Sequence, residues 1–131
     1  MSDPGNVGTL LRTADAFGAA VALSDGCADP LGPRALRASA GAIFRVPLVV
    51  WDALPARRVA LVAHDGDALS AVELGPPLAF LLGAEREGLP DHLVAQSHKV
   101  TIELQGEAES LNVAAAGAIA LYELSRRSAS R

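Results

Sequence analysis

Apolar and polar positions alternate along this chain with two different periods. Val7, Leu10, Leu11, Ala14 and Phe17 recur at helical spacing after the turn Asp3-Pro4-Gly5-Asn6, with Asn6 as the expected cap and Gly18 placed to stop the helix. Residues 19–24 form a short apolar run that predicts a buried strand, and a loop follows at 25–30. Pro33 suits the first turn of a second helix over 34–40, closed by Gly41. Further strands are expected at 46–51, 58–64, 78–82 and 99–104, a short helix at 91–97, and a last helix from Leu111 to about Arg127; residues 68–74 read equally as helix or strand. Strands alternating with helices predict a mostly parallel α/β sheet with helices on both faces. In such a sheet ligands sit beyond the carboxyl ends of the strands. The loops at 83–90 and 105–109 leave two of those ends, so together they predict a pocket.

The last helix departs from the usual amphipathic pattern. Val113-Ala-Ala-Ala-Gly117-Ala-Ile-Ala-Leu121 is apolar almost all round, which requires cover on more than one side. Its small residues allow a second backbone to approach closely. A homodimer through this helix is the economical expectation, and a helix enclosed within one chain is the alternative.

With 131 residues, half of them apolar, the chain can bury a real core as one domain. No apolar run is long enough to span a bilayer and no basic-then-apolar leader opens the sequence, which leads us to expect a cytoplasmic protein without membrane association. Cys27 is the only cysteine, which rules out an intramolecular disulfide and a cysteine metal cluster. His64, His92 and His98 lack metal-ligand spacing, and no metal site is expected. The net charge of −4 argues against a strong nucleic-acid binder, since phosphate neutralisation dominates such affinity. Yet Lys99 is the only lysine, and the other basic residues are arginines, the better partners for phosphate. Arg12, Arg34, Arg37 and Arg45 fall in the first third. They read either as a local basic face or as scattered solubilising charge.

Three segments carry chemistry. The first is Asn6-Val-Gly-Thr-Leu-Leu-Arg12-Thr-Ala-Asp-Ala-Phe17-Gly18, followed by Arg37-Ala-Ser-Ala-Gly41-Ala42. Read alone, Asn6 is a cap and Arg12 a surface arginine. The second is Leu82-Gly83-Ala-Glu85-Arg-Glu-Gly88-Leu89-Pro90, whose glycines permit positive φ or close backbone approach. It is neither a dinucleotide fingerprint nor a phosphate loop, because no Lys-Ser/Thr follows. The third is Ile102-Glu-Leu104-Gln-Gly-Glu-Ala-Glu-Ser110-Leu111-Asn112, where either Ser110 or Asn112 can cap the last helix.

In that order and spacing the three segments resemble the SpoU/TrmH family of the SPOUT class, S-adenosylmethionine-dependent RNA ribose 2′-O-methyltransferases. The resemblance covers essentially the whole chain. It implies a C-terminal trefoil knot, S-adenosylmethionine as cofactor, and a tRNA or rRNA substrate. It also implies that Gly83, Gly88, Leu89, Ile102, Leu104 and Leu111 bind the cofactor. Arg12, Asn6, Glu85, Ser110 and Asn112 are implied as the catalytic set, with Asn6 supporting the site and the dimer. Members of this family usually have a strand just before the Asp-Pro-Gly-Asn turn, and many carry an N-terminal RNA-binding domain. The expectation is therefore a single catalytic domain lacking both, or else a non-catalytic dimeric module that binds S-adenosylmethionine or RNA. A different α/β ligand binder with similar loops is a third reading.

The implied reaction is displacement at a sulfonium methyl. The protein's task is alignment of the 2′-hydroxyl, worth several orders of magnitude in rate, and help with its proton. Guanidinium stays protonated in proteins. Arg12 is therefore expected to grip the target phosphate and polarise the hydroxyl, with the base left open.

Overall fold

The computed structural model describes residues 1–129 and divides the chain into two compact units, Met1–Leu54 and Pro55–Arg131. The sequence reading expects one domain; each unit has its own core.

In the first unit, α1 spans Pro4–Phe17. Asp3 caps it: its Oδ1 accepts from the backbone N–H of Gly5 at 2.7 Å and of Asn6 at 3.3 Å. The expected cap at Asn6 is thus corrected by three residues. Pro4, with its fixed φ and missing N–H, fits the first helical position, which draws the helix start ahead of Asn6. At the other end Gly18 stops the helix at φ 69°, as expected. The apolar stripe buries Val7, Leu11 and Ala14 with Ala42 and Val46. Gly8 is buried too, where α1 crosses α2 (Pro33–Ser39). A Cβ on Gly8 would stand 2.4 Å from the Ala35 carbonyl oxygen and 2.6 Å from the Ala38 Cβ, so only glycine permits this approach.

The strands expected at 19–24 and 46–51 reduce to one parallel bridge, Val21 to Leu48. Two hydrogen bonds make it: Val21 N–H donates to Pro47 and Val49 N–H to Val21, both 2.9 Å. Pro47 has no N–H to extend the ladder, and Trp51–Ala53 turns into a 3-10 turn.

The second unit is built on a four-stranded sheet in the order β2-β4-β1-β3. Its strands are β1 (Arg58–Leu61), β2 (Asp67–Ala68), β3 (Ala79–Leu81) and β4 (His98–Thr101). Every ladder is parallel, with Val59 opposite Phe80 and His98, and Asp67 opposite Val100. The ambiguous stretch at 68–74 resolves into the end of β2 and a turn that delivers Leu69, Val72 and Leu74 to the core. There they meet Val59 and Val100, with Leu61, Leu78, Phe80, Ile102 and Leu124 at the margin. A short helix α3 (Asp91–Ala95) precedes β4.

The last helix, α4, spans Val113–Ala129. Ala114 and Ala120 are buried, whereas Ala115, Ile119 and Tyr122 are exposed. Their spacing of four and three residues makes one stripe. At the far end Arg127 fastens the helix to the turn after β2. Its guanidinium donates to the carbonyls of Val72 and, at 2.8 Å, of Leu69, and its Nε to Glu123 at 2.8 Å. No helix among the described residues is long and apolar enough to cross a membrane.

Candidate functional site

Because the ladders of the second unit are parallel, β1, β3 and β4 end at one edge. The chain continues from those ends through Val62-Ala63, Leu82-Gly83, and Ile102 and Leu104. With the start of α4 they line a cavity of about 270 Å³, near the lower end of the roughly 300–1,000 Å³ usual for small-molecule sites. Gly83, Glu85, Gly88, Ile102, Leu104, Ser110, Leu111 and Asn112 all line it. Leu89 does not.

The loop at 83–88 closes on itself. Ala84 and Gly88 exchange two backbone hydrogen bonds, 3.2 and 3.0 Å, leaving Glu85, Arg86 and Glu87 as an exposed tip. Gly88 has φ 69° with open space where a side chain would go. Gly83 is different. A Cβ there would lie 2.3 Å from the Gly88 carbonyl carbon and 2.5 Å from the Leu89 nitrogen. The close approach that Gly83 permits in this structure is to its own loop, and the residue also lines the cavity.

Asn112, not Ser110, caps α4. Its Oδ1 accepts from Ala114 N–H at 2.9 Å and Ala115 N–H at 3.1 Å. This satisfies two of the orphan donors of the first turn and places Asn112 on the cavity wall. Ser110 is exposed, in the irregular segment that leads from β4 to α4.

Asn6 and Arg12 belong to the first unit. Asn6 sits in the first turn of α1. Arg12 is exposed, as expected of a surface arginine. It stands one turn beyond Gly8, and residues four apart share a helix face, so it borders the α2 crossing. Arg45 is committed elsewhere: its Nε and Nη2 both donate to Asp15, at 2.9 and 2.7 Å. That hydrogen bond holds the Asp15 carboxyl below the usual carboxylate range. Arg34 and Arg37 are exposed and make no ion pair among the described residues.

The sequence reading missed Leu61, Val62 and Ala63, which line the cavity from the end of β1. The signal was available: an apolar strand running into Asp65-Gly66 has a carboxyl end of its own, to which the rule for parallel sheets applies. Beside the main cavity a shallower one lies between Ser70, Glu103, Gln105, Ile119 and Glu123. Ser70 Oγ donates to Glu103 at 2.6 Å and holds that carboxyl low, while Arg126 and Arg127 do the same for Glu123. Among the described residues no group of His, Cys, Asp and Glu is placed to hold a metal ion.

A parallel sheet with a cavity at its strand ends, walled by a glycine-closed loop and the capped start of a helix, defines an α/β protein with a small-molecule site. The chain belongs to the SpoU rRNA methylase family, whose model matches residues 1–122. It is 36% identical over 135 residues to the 23S rRNA (guanosine(2553)-2′-O)-methyltransferase RlmP of Bacillus subtilis, covering 95% of this chain and 54% of that protein. Among solved structures it resembles the SpoU methyltransferase AviRb of Streptomyces viridochromogenes in complex with the cofactor AdoMet. That match has a TM-score of 0.89 at 30% identity, over 99% of this chain and 58% of that one. A putative RNA methyltransferase of the TrmH family from Porphyromonas gingivalis gives a TM-score of 0.86 at 37% identity, over 96% and 56%. The chain thus spans about half the length of these relatives.

Proposed function

We propose that this chain transfers a methyl group from S-adenosylmethionine to a ribose 2′-hydroxyl of tRNA or rRNA. The observation that carries this reading is the convergence of two of the three family segments on the main cavity, in a member of a family whose relatives carry that activity and cofactor. The lining suits the cofactor. Ile102, Leu104 and Leu111 offer an apolar wall for a flat base, and Glu85 a carboxylate for a cationic group. S-adenosylmethionine, when bound, supplies an already activated methyl group.

The protein's own residues then have four tasks. Gly83 and Gly88 shape the loop at 83–88 around the ligand, and Leu89 steadies that loop from behind. Asn112, by capping α4, fixes the wall on which Ser110 and Leu111 stand. Ser110 and the remaining capacity of Asn112 orient the ribose. Arg12, supported by Asn6, is the residue that grips an RNA phosphate through its planar fork. The whole chain is one SpoU-type domain acting in the cytoplasm, with its C-terminal segments threaded as the family's trefoil knot. The stripe Ala115, Ile119 and Tyr122 on α4 pairs with the same stripe of a second copy.

The test has two stages. Calorimetric titration with S-adenosylmethionine should show one site per chain. Incubation with tritiated donor and bulk tRNA and rRNA should label RNA at 2′-oxygens, read as alkali-resistant dinucleotides. Donor binding without any transfer would support a binding module instead. Absence of both would reject the reading. Ile119→Glu or Tyr122→Glu should halve the mass seen by light scattering, and a wild-type monomer at micromolar concentration would contradict the pairing.

A further inference from the structure

Phe44 is 79% exposed, the most solvent-facing of the exposed large apolar side chains. It is nevertheless rigidly mounted. Ala42 and Val46 on either side of it are buried in the core of the first unit. Its N–H donates to Gly41 at 3.1 Å, and the N–H groups of Arg45 and Val46 both donate to Ala42 at 2.9 Å. Arg45, the next residue, is tied to Asp15 by two hydrogen bonds. Just before the turn, Ala40 and Gly41 take φ 52° and 84° in succession. Left-handed backbone at a non-glycine residue is unfavourable, yet here it swings the chain out of α2 and into the 3-10 turn Ala42–Phe44. The result is an aromatic ring held outward on a stiff support.

The stretch of sequence that carries it is basic. From Leu31 to Trp51 the sequence carries Arg34, Arg37 and Arg45 and no Asp or Glu. Arg45 is neutralised by Asp15, which leaves Arg34 and Arg37 exposed and without an ion pair among the described residues. An exposed aromatic ring on a turn that contacts α2, the helix carrying two exposed guanidinium groups, matches the chemistry of an unpaired nucleotide: base on ring, phosphate on arginine. A second copy of the chain is the poorer match, because it would set this positive segment against itself.

We propose that Phe44 stacks on an unpaired base of the RNA substrate, with Arg34 and Arg37 contacting the flanking phosphates. The inference rests on the RNA methyltransferase reading and extends it to a recognition residue outside the donor cavity. The probe is a single-stranded RNA oligomer carrying 2-aminopurine, whose emission is quenched on stacking. Wild-type protein should quench it. Phe44→Leu, apolar but not aromatic, should weaken binding about 5- to 150-fold, the span typical of one lost base–aromatic stack. Phe44→Trp should keep or tighten it. Since the side chain is exposed, both variants should keep the wild-type circular dichroism and S-adenosylmethionine affinity. If Phe44→Leu bound and methylated RNA like the wild type, stacking would be overturned while the methyltransferase reading stood. A lower molar mass for Phe44→Leu in light scattering would also overturn it, by assigning the ring to a contact between copies. Wild-type protein that neither bound nor methylated RNA would instead sink the parent reading.

Discussion

Two glycines five residues apart do different work, and substitution separates them. Gly88→Ala meets no neighbouring atom, so its cost is that of a side chain at φ 69°, about 1–2 kcal/mol. Gly83→Ala drives a methyl group into the Gly88–Leu89 backbone at 2.3 Å, and the loop must open to relieve it. We expect Gly88→Ala to weaken S-adenosylmethionine binding modestly and Gly83→Ala to abolish it, with calorimetry as the measure; equal losses would show that the loop's self-closure is immaterial. The reverse split applies to Arg12, which is exposed and remote in sequence from the cavity lining. Arg12→Ala should leave donor affinity nearly intact while eliminating methyl transfer. Arg12→Lys should fail as well, because a point charge lacks the planar fork. Loss of donor binding in Arg12→Ala would reassign the residue to the cofactor.

At the level of elements, the helices were more legible than the strands. A helix announces itself by local spacing, and α1, α2 and α4 lie close to where Leu11, Arg37 and Ala116 imply. Strand ends depend on neighbours that the sequence does not display. Thus Val62, Ala63, Leu82, Ile102 and Leu104 continue the apolar pattern but leave the ladder to line the cavity. The segments at 19–24 and 46–51 find only each other. The cap of α4 was legible only as a choice between Ser110 and Asn112, since both side chains accept hydrogen bonds and only the path of the chain decides. Asn112→Ala should cost about 1 kcal/mol in urea unfolding, and Asn112→Asp should recover most of it. Arg127→Ala removes the ties to Leu69, Val72 and Glu123, and about 1.5–3 kcal/mol is expected from the loss of charged hydrogen bonds. An unchanged midpoint would mean that α4 is held by its apolar face alone.

For the molecule as a whole, pH dependence follows from three acids. Asp15 is lowered by Arg45, Glu103 by Ser70, and Glu123 by Arg126 and Arg127. A carboxyl whose folded pKa is depressed contributes stability above its unfolded value, about 3.9 for Asp and 4.3 for Glu. That contribution fades as pH falls through the folded value. The melting temperature should therefore be flat near neutrality and fall below about pH 4. Glu123→Gln should shallow that fall; an unaltered acid limb would place the sensitivity elsewhere. The family and its cofactor chemistry were legible in three ordered segments. The exposure of Phe44 was not, because an isolated Phe in an apolar run reads as core until the turn that carries it is seen.

The strand order β2-β4-β1-β3 has a consequence for how the protein is made. β4 is the last strand synthesised, yet it lies between β1 and β2, so the second partner of Val59 and the partner of Asp67 arrive only with His98 and Val100. A nascent chain on the ribosome can pair β1 with β3 but must keep the place beside β1 open until residue 101 has emerged. Such long-range parallel pairing is intrinsically slow and leaves edges exposed while it waits. The protein should accordingly refold slowly from urea and benefit from chaperones during expression, and its yield should respond more to temperature during synthesis than its final stability would suggest.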